Sequence, residues 1–143
     1  MADDAERQAW LAAKPDAVLI SAELPLRANL SVLENIALVP QYRSNASART
    51  ANERAWALLE RLDHESCAHL RDPDLSFEQR FVAKLLRAVI AKPSIIVIER
   101  PGLLLPDTPY PRFLAETLAK LDKEINTLWI VDYTWHALLY PPT

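Results

Sequence analysis

One glycine, Gly102, occurs among 143 residues, and that scarcity restricts what the backbone can build. Loops that cradle phosphate bring several backbone N–H groups close to the anion, in conformations that a side chain obstructs, so they are made from glycines. The P-loop pattern, glycines running into Gly-Lys-Ser or Gly-Lys-Thr, is absent from these residues, and so is Gly-x-Gly-x-x-Gly. If the chain holds a nucleotide, it does so another way.

Composition narrows the partners. With 50% apolar and 24% charged residues the chain can bury one core, not two. A net charge of −3, with its 16 Lys and Arg scattered, offers no basic field to a phosphate backbone, so nucleic acid is not an expected partner. Cys67 is the single cysteine and cannot form an internal disulfide; no Cys/His spacing matches a zinc site, and a reducing interior is the natural setting, with the thiol inert. The start, MADDAERQAW, lacks the basic-then-apolar order of a secretory signal, and no apolar run reaches the roughly 18 residues that span a bilayer. The expectation is a soluble, cytoplasmic chain without direct membrane insertion.

Residues 4–13 are rich in helix formers and stop before Pro15; Asp16 to Ile20 is a short apolar run that reads as a buried strand. Ser31 and Glu34 have capping-box spacing at the start of a helix running to about Leu38, followed by a polar, mobile connection from Pro40 to Ala51. Ala55, Leu58, Leu59 and Leu62 make the apolar side of a second helix. Asp74 or Ser76 can cap a third, through Lys92, with a stripe of Phe81, Leu85, Leu86, Val89 and Ile90 closed by Pro93. Ser94 to Ile98 is a β-branched run of the kind covered on both faces, at the centre of a sheet. LLLPDTPYPRF reads as a rigid loop, Phe113 to Glu124 as a helix and Thr127 to Val131 as another buried strand. Strands separated by helices imply an α/β fold of about three parallel strands flanked by helices, with a helical insertion between the first two.

Several stretches also match one family in its own order. LSFEQ, Leu75 to Gln79, resembles the LSGGQ signature of ABC transporter ATPases, with Arg87-Ala88 and Pro93 at that family's spacings. IIVIERP, Ile95 to Pro101, is similar to its Walker B strand, four aliphatics and then Asp-Glu-Pro. LRANLSVLENIAL, Leu26 to Leu38, resembles the segment after the Q-loop, and TLWIVDYT, Thr127 to Thr134, the last conserved strand and histidine switch. The resemblance covers roughly residues 17–136 and implies a truncated P-loop NTPase fold of the ABC-cassette type, without counterparts for the first antiparallel strands and the P-loop strand and helix. Residues 1–143 read as one domain, with 31–92 the helical subdomain and signature helix and 16–30 plus 93–143 a partial α/β core.

The positions at which the family handles phosphate are altered. Ala22 stands at the Q-loop glutamine, and its methyl group, which can neither ligate magnesium nor position water, is expected simply to pack. Leu75, Ser76 and Gln79 keep the signature, but Phe77 and Glu78 replace its two glycines, and Glu78 sets a negative charge where a γ-phosphate would lie. Glu99 occupies the Walker B aspartate position, where a carboxylate could still hold a metal ion, but with no P-loop beside it a structural role is expected, pairing with Arg100 or capping a loop. Arg100 replaces the glutamate that activates water, and a guanidinium cannot act as a base. Tyr133 takes the place of the switch histidine. His64, His69 and His136 form no ligand pattern, and no nucleophile elbow is present. One or two of Trp10, Trp56, Trp129 and Trp135 are expected at an interface.

No catalytic residue, cofactor or metal is therefore expected. By the resemblance, the cleft between helical subdomain and Q-loop receives cytoplasmic helices of membrane subunits, which implies a structural or regulatory cassette subunit of a transport complex for lipids or small solutes, peripheral at the inner membrane face through its partner. The partner would be an ABC-type membrane subunit or a second cassette chain, and either homodimerisation or docking on a partner is expected at the outer edge of the last strand, where the family places its P-loop strand. Two alternatives stay open: the half-site of an active ATPase completed in trans by a P-loop-bearing chain, and a free-standing adaptor.

Overall fold

A computed structural model of the chain describes residues 16–132. Three strands, β1 (Ala17–Ile20), β2 (Ile95–Glu99) and β3 (Thr127–Val131), form one parallel sheet in the order β1-β2-β3. Ile20 lies opposite Ile98 and Glu99 opposite Val131, so the carboxyl ends of all three strands open on one side. The β-branched run is the central strand, as its composition predicts, and Ile96, Val97 and Ile98 are buried.

Between β1 and β2 lie three helices, α1 (Val32–Arg43), α2 (Ala48–Arg61) and α3 (Phe77–Ile90), with 3₁₀ turns at Glu65–Cys67 and Asp72–Asp74. The Ser31/Glu34 capping box is present: Ser31 Oγ accepts the Glu34 N–H at 3.1 Å, and Glu34 Oε1 accepts the Ser31 N–H at 2.9 Å. α3 packs on α1, α2 and β1 at once. Its predicted stripe is buried, but so are Val82, Ala83, Lys84 and Ala88, so the second half of this amphipathic helix is enclosed on nearly every side. Each fully buried Leu or Phe on it contributes about 1.5–3 kcal/mol of transfer free energy.

Five expectations need correction. α1 does not end near Leu38: it runs through Pro40 to Arg43, because the buried proline ring packs in the core and the Pro40 carbonyl accepts from both Ser44 and Ala46 N–H. The predicted connection from Pro40 to Ala51 shrinks accordingly, since Ser47 caps α2 by accepting the Thr50 N–H at 3.1 Å. The proline-rich loop holds a short helix, α4 (Pro101–Leu104), and α5 spans Tyr110–Lys120 rather than Phe113 to Glu124, entered through Pro109. Finally, β3 is not a buried strand: Leu128 and Ile130 on one face pack against the core, while Thr127 and Trp129 on the other are exposed, the latter by 46%, and among the described residues β3 pairs with β2 alone. The predicted helix over residues 4–13 lies outside the described residues.

Candidate functional site

Open parallel sheets gather ligands at the carboxyl ends of their strands, and here Ser21 and Ala22 follow β1 while Glu99 and Arg100 end β2. Ser21 is 2% exposed; its Oγ–H donates to Glu99 Oε1 at 3.2 Å and its Oγ accepts the Glu23 N–H. The Ser21 carbonyl accepts from Lys84 Nζ at 3.3 Å. Lys84, 5% exposed on the buried helix α3, is the polar group that the apolar stripe gave no reason to single out. Burial holds its ammonium below the usual lysine value, and the charges of Arg87 and Arg80 act in the same direction. Ser21 thus ties a carboxylate and a buried ammonium together at the end of β1.

Ala22 does not pack as expected. It is exposed, because the chain turns at Ser21, where the Leu24 N–H returns to the Ser21 carbonyl at 3.2 Å. Arg100 adopts a left-handed backbone, φ 46 and ψ 68, and donates its N–H to the Val131 carbonyl at 2.7 Å, binding the end of β2 to β3 and turning the chain into α4. Ser21 is one hydrogen-bond partner of Glu99.

At the start of α3, Leu75 is buried and Ser76 is the N-cap of a second capping box: Ser76 Oγ accepts the Gln79 N–H, and Gln79 Oε1 accepts the Ser76 N–H. Glu78 Oε1 accepts from Thr108 Oγ1 at 3.2 Å, so the first turn carries its own carboxylate at the positive end of the helix dipole. Phe77 is 41% exposed with the Arg80 guanidinium 5.5 Å from its ring centroid, and Arg80 pairs with Asp72 at 2.7 Å. The end of the helix that could greet an external anion is occupied by the chain's own side chains.

The segment before α1 is fastened from two sides. Arg87 donates to the carbonyls of Pro25 at 3.0 Å and Leu24 at 3.4 Å, and burial, with Arg27 beside it, lowers its pKa. Buried Asn35 accepts the Arg27 N–H and donates to the Arg27, Leu30 and Ser31 carbonyls, a role the spacing of LENIAL does not reveal. A hollow of about 260 Å³ opens there between Arg27, Val39, Tyr42, Arg43 and Arg87, with Tyr42 76% exposed on its rim.

The remaining candidates are structural or out of view. His64 Nδ1 lies 2.7 Å from the Leu62 carbonyl, and His69 stacks near Trp56. Burial pushes the Cys67 thiol up, away from the reactive thiolate. Tyr133, His136 and Trp135 lie outside the described residues, as does Trp10. Among the described residues no cluster of His, Cys, Asp and Glu is arranged to hold a metal, and no helix is long and apolar enough to cross a membrane.

The comparisons with known proteins agree with this arrangement. The chain superposes on a dimeric post-hydrolysis structure of the ATP-binding cassette MJ0796 bound to ADP and Pi with a TM-score of 0.66 and 25% identity, over 94% of its own length and 58% of that chain. It is an ABC ATPase-like domain. A second dimeric structure of MJ0796, a bacterial ABC transporter cassette, has the same fold at a TM-score of 0.66 and 21% identity, covering 96% of this chain and 61% of that one. In sequence, this ABC ATPase-like domain is 32% identical over 107 residues to the lipoprotein-releasing system ATP-binding protein LolD 2 of Chlorobaculum tepidum, covering 74% of the chain and 42% of the relative. It is 24% identical over 103 residues to the LolD protein of Buchnera aphidicola subsp. Schizaphis graminum, covering 72% of the chain and 44% of the relative. The chain therefore spans less than half the length of these curated relatives. No protein-family model matches it.

Proposed function

We propose that this cassette-like chain acts by contact rather than by turnover, as a non-hydrolytic subunit with a structural or regulatory role in a membrane transport complex. The observation that carries the reading is Arg100 at the end of β2. It stands where the resemblance puts the water-activating glutamate, and a guanidinium has no lone pair with which to take a proton from water. Glu78 supports it from the signature side: its carboxylate, held by Thr108, meets the region where a signature glycine would admit a γ-phosphate. The chain's own glycine content supports it too, since Gly102 alone cannot form a phosphate cradle.

The contact surface in this reading is the face formed by α1 and the segment that Arg87 and Asn35 fasten, where Tyr42 is exposed. By the family resemblance it would receive a cytoplasmic helix of a membrane subunit, and the lipoprotein-releasing relatives make a lipid-linked cargo the first to try. Calorimetric titration of the chain with MgATP is the test: no measurable heat of binding and no phosphate release are expected. ATP affinity or turnover by the chain alone overturns the reading. A second reading, a half-site completed in trans, draws on the exposed edge strand β3; it predicts that affinity and turnover appear only when a P-loop-bearing chain is added.

A further inference from the structure

Away from the strand ends, a larger hollow of about 510 Å³ opens between the second half of α2, the end of α3 and the loop that leads into β3. Its volume lies within the range of about 300–1,000 Å³ in which small-molecule sites fall. The floor is apolar, with Leu58 half-buried and Val89 and Ile90 buried beneath it. Around it stand four cations, Arg54, Arg61, Lys92 and Lys123, against one carboxylate, Glu124. That is a local excess of positive charge on a chain whose net charge is −3.

Part of this charge has a structural explanation. Arg61 pairs with Glu124 and sits in the last turn of α2, where a cation complements the helix dipole. Lys92 follows the C-cap of α3 and complements the dipole of that helix, although its φ of 52 puts it in the left-handed region that glycine would fill at lower cost. Arg54, in the middle of α2, and Lys123, beyond the end of α5, have no such reason to be there. Neither they nor Lys92 form an ion pair with any of the described residues. Like charges around one hollow repel, and an anion lodged among them would relieve that repulsion.

We propose that this hollow binds a small amphiphilic anion, a carboxylate or phosphate head on an apolar body. The apolar body lies on Ala57 and Leu58, the apolar lining side chains that still meet water, and removes that surface from it. The head is met by Arg54, Lys92 and Lys123, with the Arg54 fork suited to two-point hydrogen bonding of either anion. The site shares no residue with the strand ends or with the α1 face, so the proposal stands independently of the contact reading.

The test is titration of the isotope-labelled full chain, followed by amide NMR, with sodium octanoate below its aggregation concentration and with octyl phosphate. Octanol, sodium acetate and inorganic phosphate serve as controls, and vesicles of phosphatidylglycerol as the membrane arm. Saturable shifts centred on Leu58, Lys92 and Lys123 are expected with the octyl anions. Octanol, acetate and phosphate should bind at least tenfold more weakly, and the exposed double variant Lys92→Glu/Lys123→Glu should lose at least tenfold for octanoate. The conservative Lys92→Arg/Lys123→Arg should bind within about twofold of the native chain, since it keeps both charges. Octanol binding as tightly as octanoate, shifts spread over the surface, an unaffected charge-reversal variant, or attachment to vesicles with no response to the free anions would each overturn the proposal.

Discussion

Replacing Asp63 with glycine should make this protein more stable, although glycine usually weakens a chain. Asp63 follows α2 at φ 57; its N–H donates to the Glu60 carbonyl at 3.0 Å and the His64 N–H to the Leu59 carbonyl at 2.9 Å. This paired closure ends a helix through one left-handed residue, and glycine commonly fills that position because it has no Cβ. A side chain there costs about 1–2 kcal/mol in general, with aspartate towards the lower end because it tolerates the region. The Asp63 carboxylate also stands at the negative end of the α2 dipole, unfavourable by about 0.3–1 kcal/mol. Against these, glycine loses about 0.5–1 kcal/mol more conformational entropy on folding. The balance for Asp63→Gly is a gain of about 1 kcal/mol. With an unfolding entropy of about 2.1 cal/mol/K per residue, a domain of this length should melt about 3 °C higher. Urea unfolding followed by circular dichroism measures the change directly, provided the slope is unaltered. The comparison is Ala115→Gly, at an exposed position inside α5, which should lose about 1 kcal/mol. If Asp63→Gly lost as much as Ala115→Gly, the argument from backbone conformation and helix charge would be refuted.

Two further variants probe the core beneath the strand ends. Lys84 has a folded pKa lowered from 10.5, so between the folded and unfolded values the unfolded chain binds more protons; native stability therefore rises with pH across that window, and below it the cost of burying the charge stands in full. Lys84→Met lacks this rise, and its urea midpoint relative to the native protein should fall between neutral pH and about pH 10; a constant difference would contradict the burial argument. Phe81, 1% exposed and edge-on to Phe113 with ring centroids 6.2 Å apart, should cost about 3–5 kcal/mol as Phe81→Ala, lowering the melting midpoint by about 10 °C or more. A loss below about 1 kcal/mol in a denaturant series would mean that α3 is not the packed centre of the domain.

Local chemistry made much of this legible. The Ser31/Glu34 spacing predicts a capping box because both partners lie within one turn, and both hydrogen bonds are present. The run SIIVI predicts a strand covered on both faces, and β2 is central. Pro40 misleads because a proline's local cost says nothing about the packing that holds α1 together through Arg43. TLWIV has the same apolar look as SIIVI, yet Trp129 is exposed, since burial depends on what lies beside a strand and not on the strand itself. Lys84, Ser21 and Thr108 are not legible in the sequence for a related reason: their bonds join residues that only the fold brings together. Lys84 and Ser21 are 63 positions apart, Ser21 and Glu99 78, and Thr108 and Glu78 30.

From sequence alone came the short supply of glycine, the altered signature and strand-end residues, and the alternation of strands and helices that makes an α/β sheet. These are properties of residue type and near spacing, fixed by sterics and hydrogen bonding within a few peptide units. Tertiary structure alone decided that Ser21 joins Glu99 to Lys84, that Glu78 is held by Thr108, that β3 stands at an edge, and that four cations surround one apolar hollow. Those relations depend on which distant surfaces pack together, and it is burial first, then the charges of Arg87 and Arg80, that lowers the pKa of Lys84.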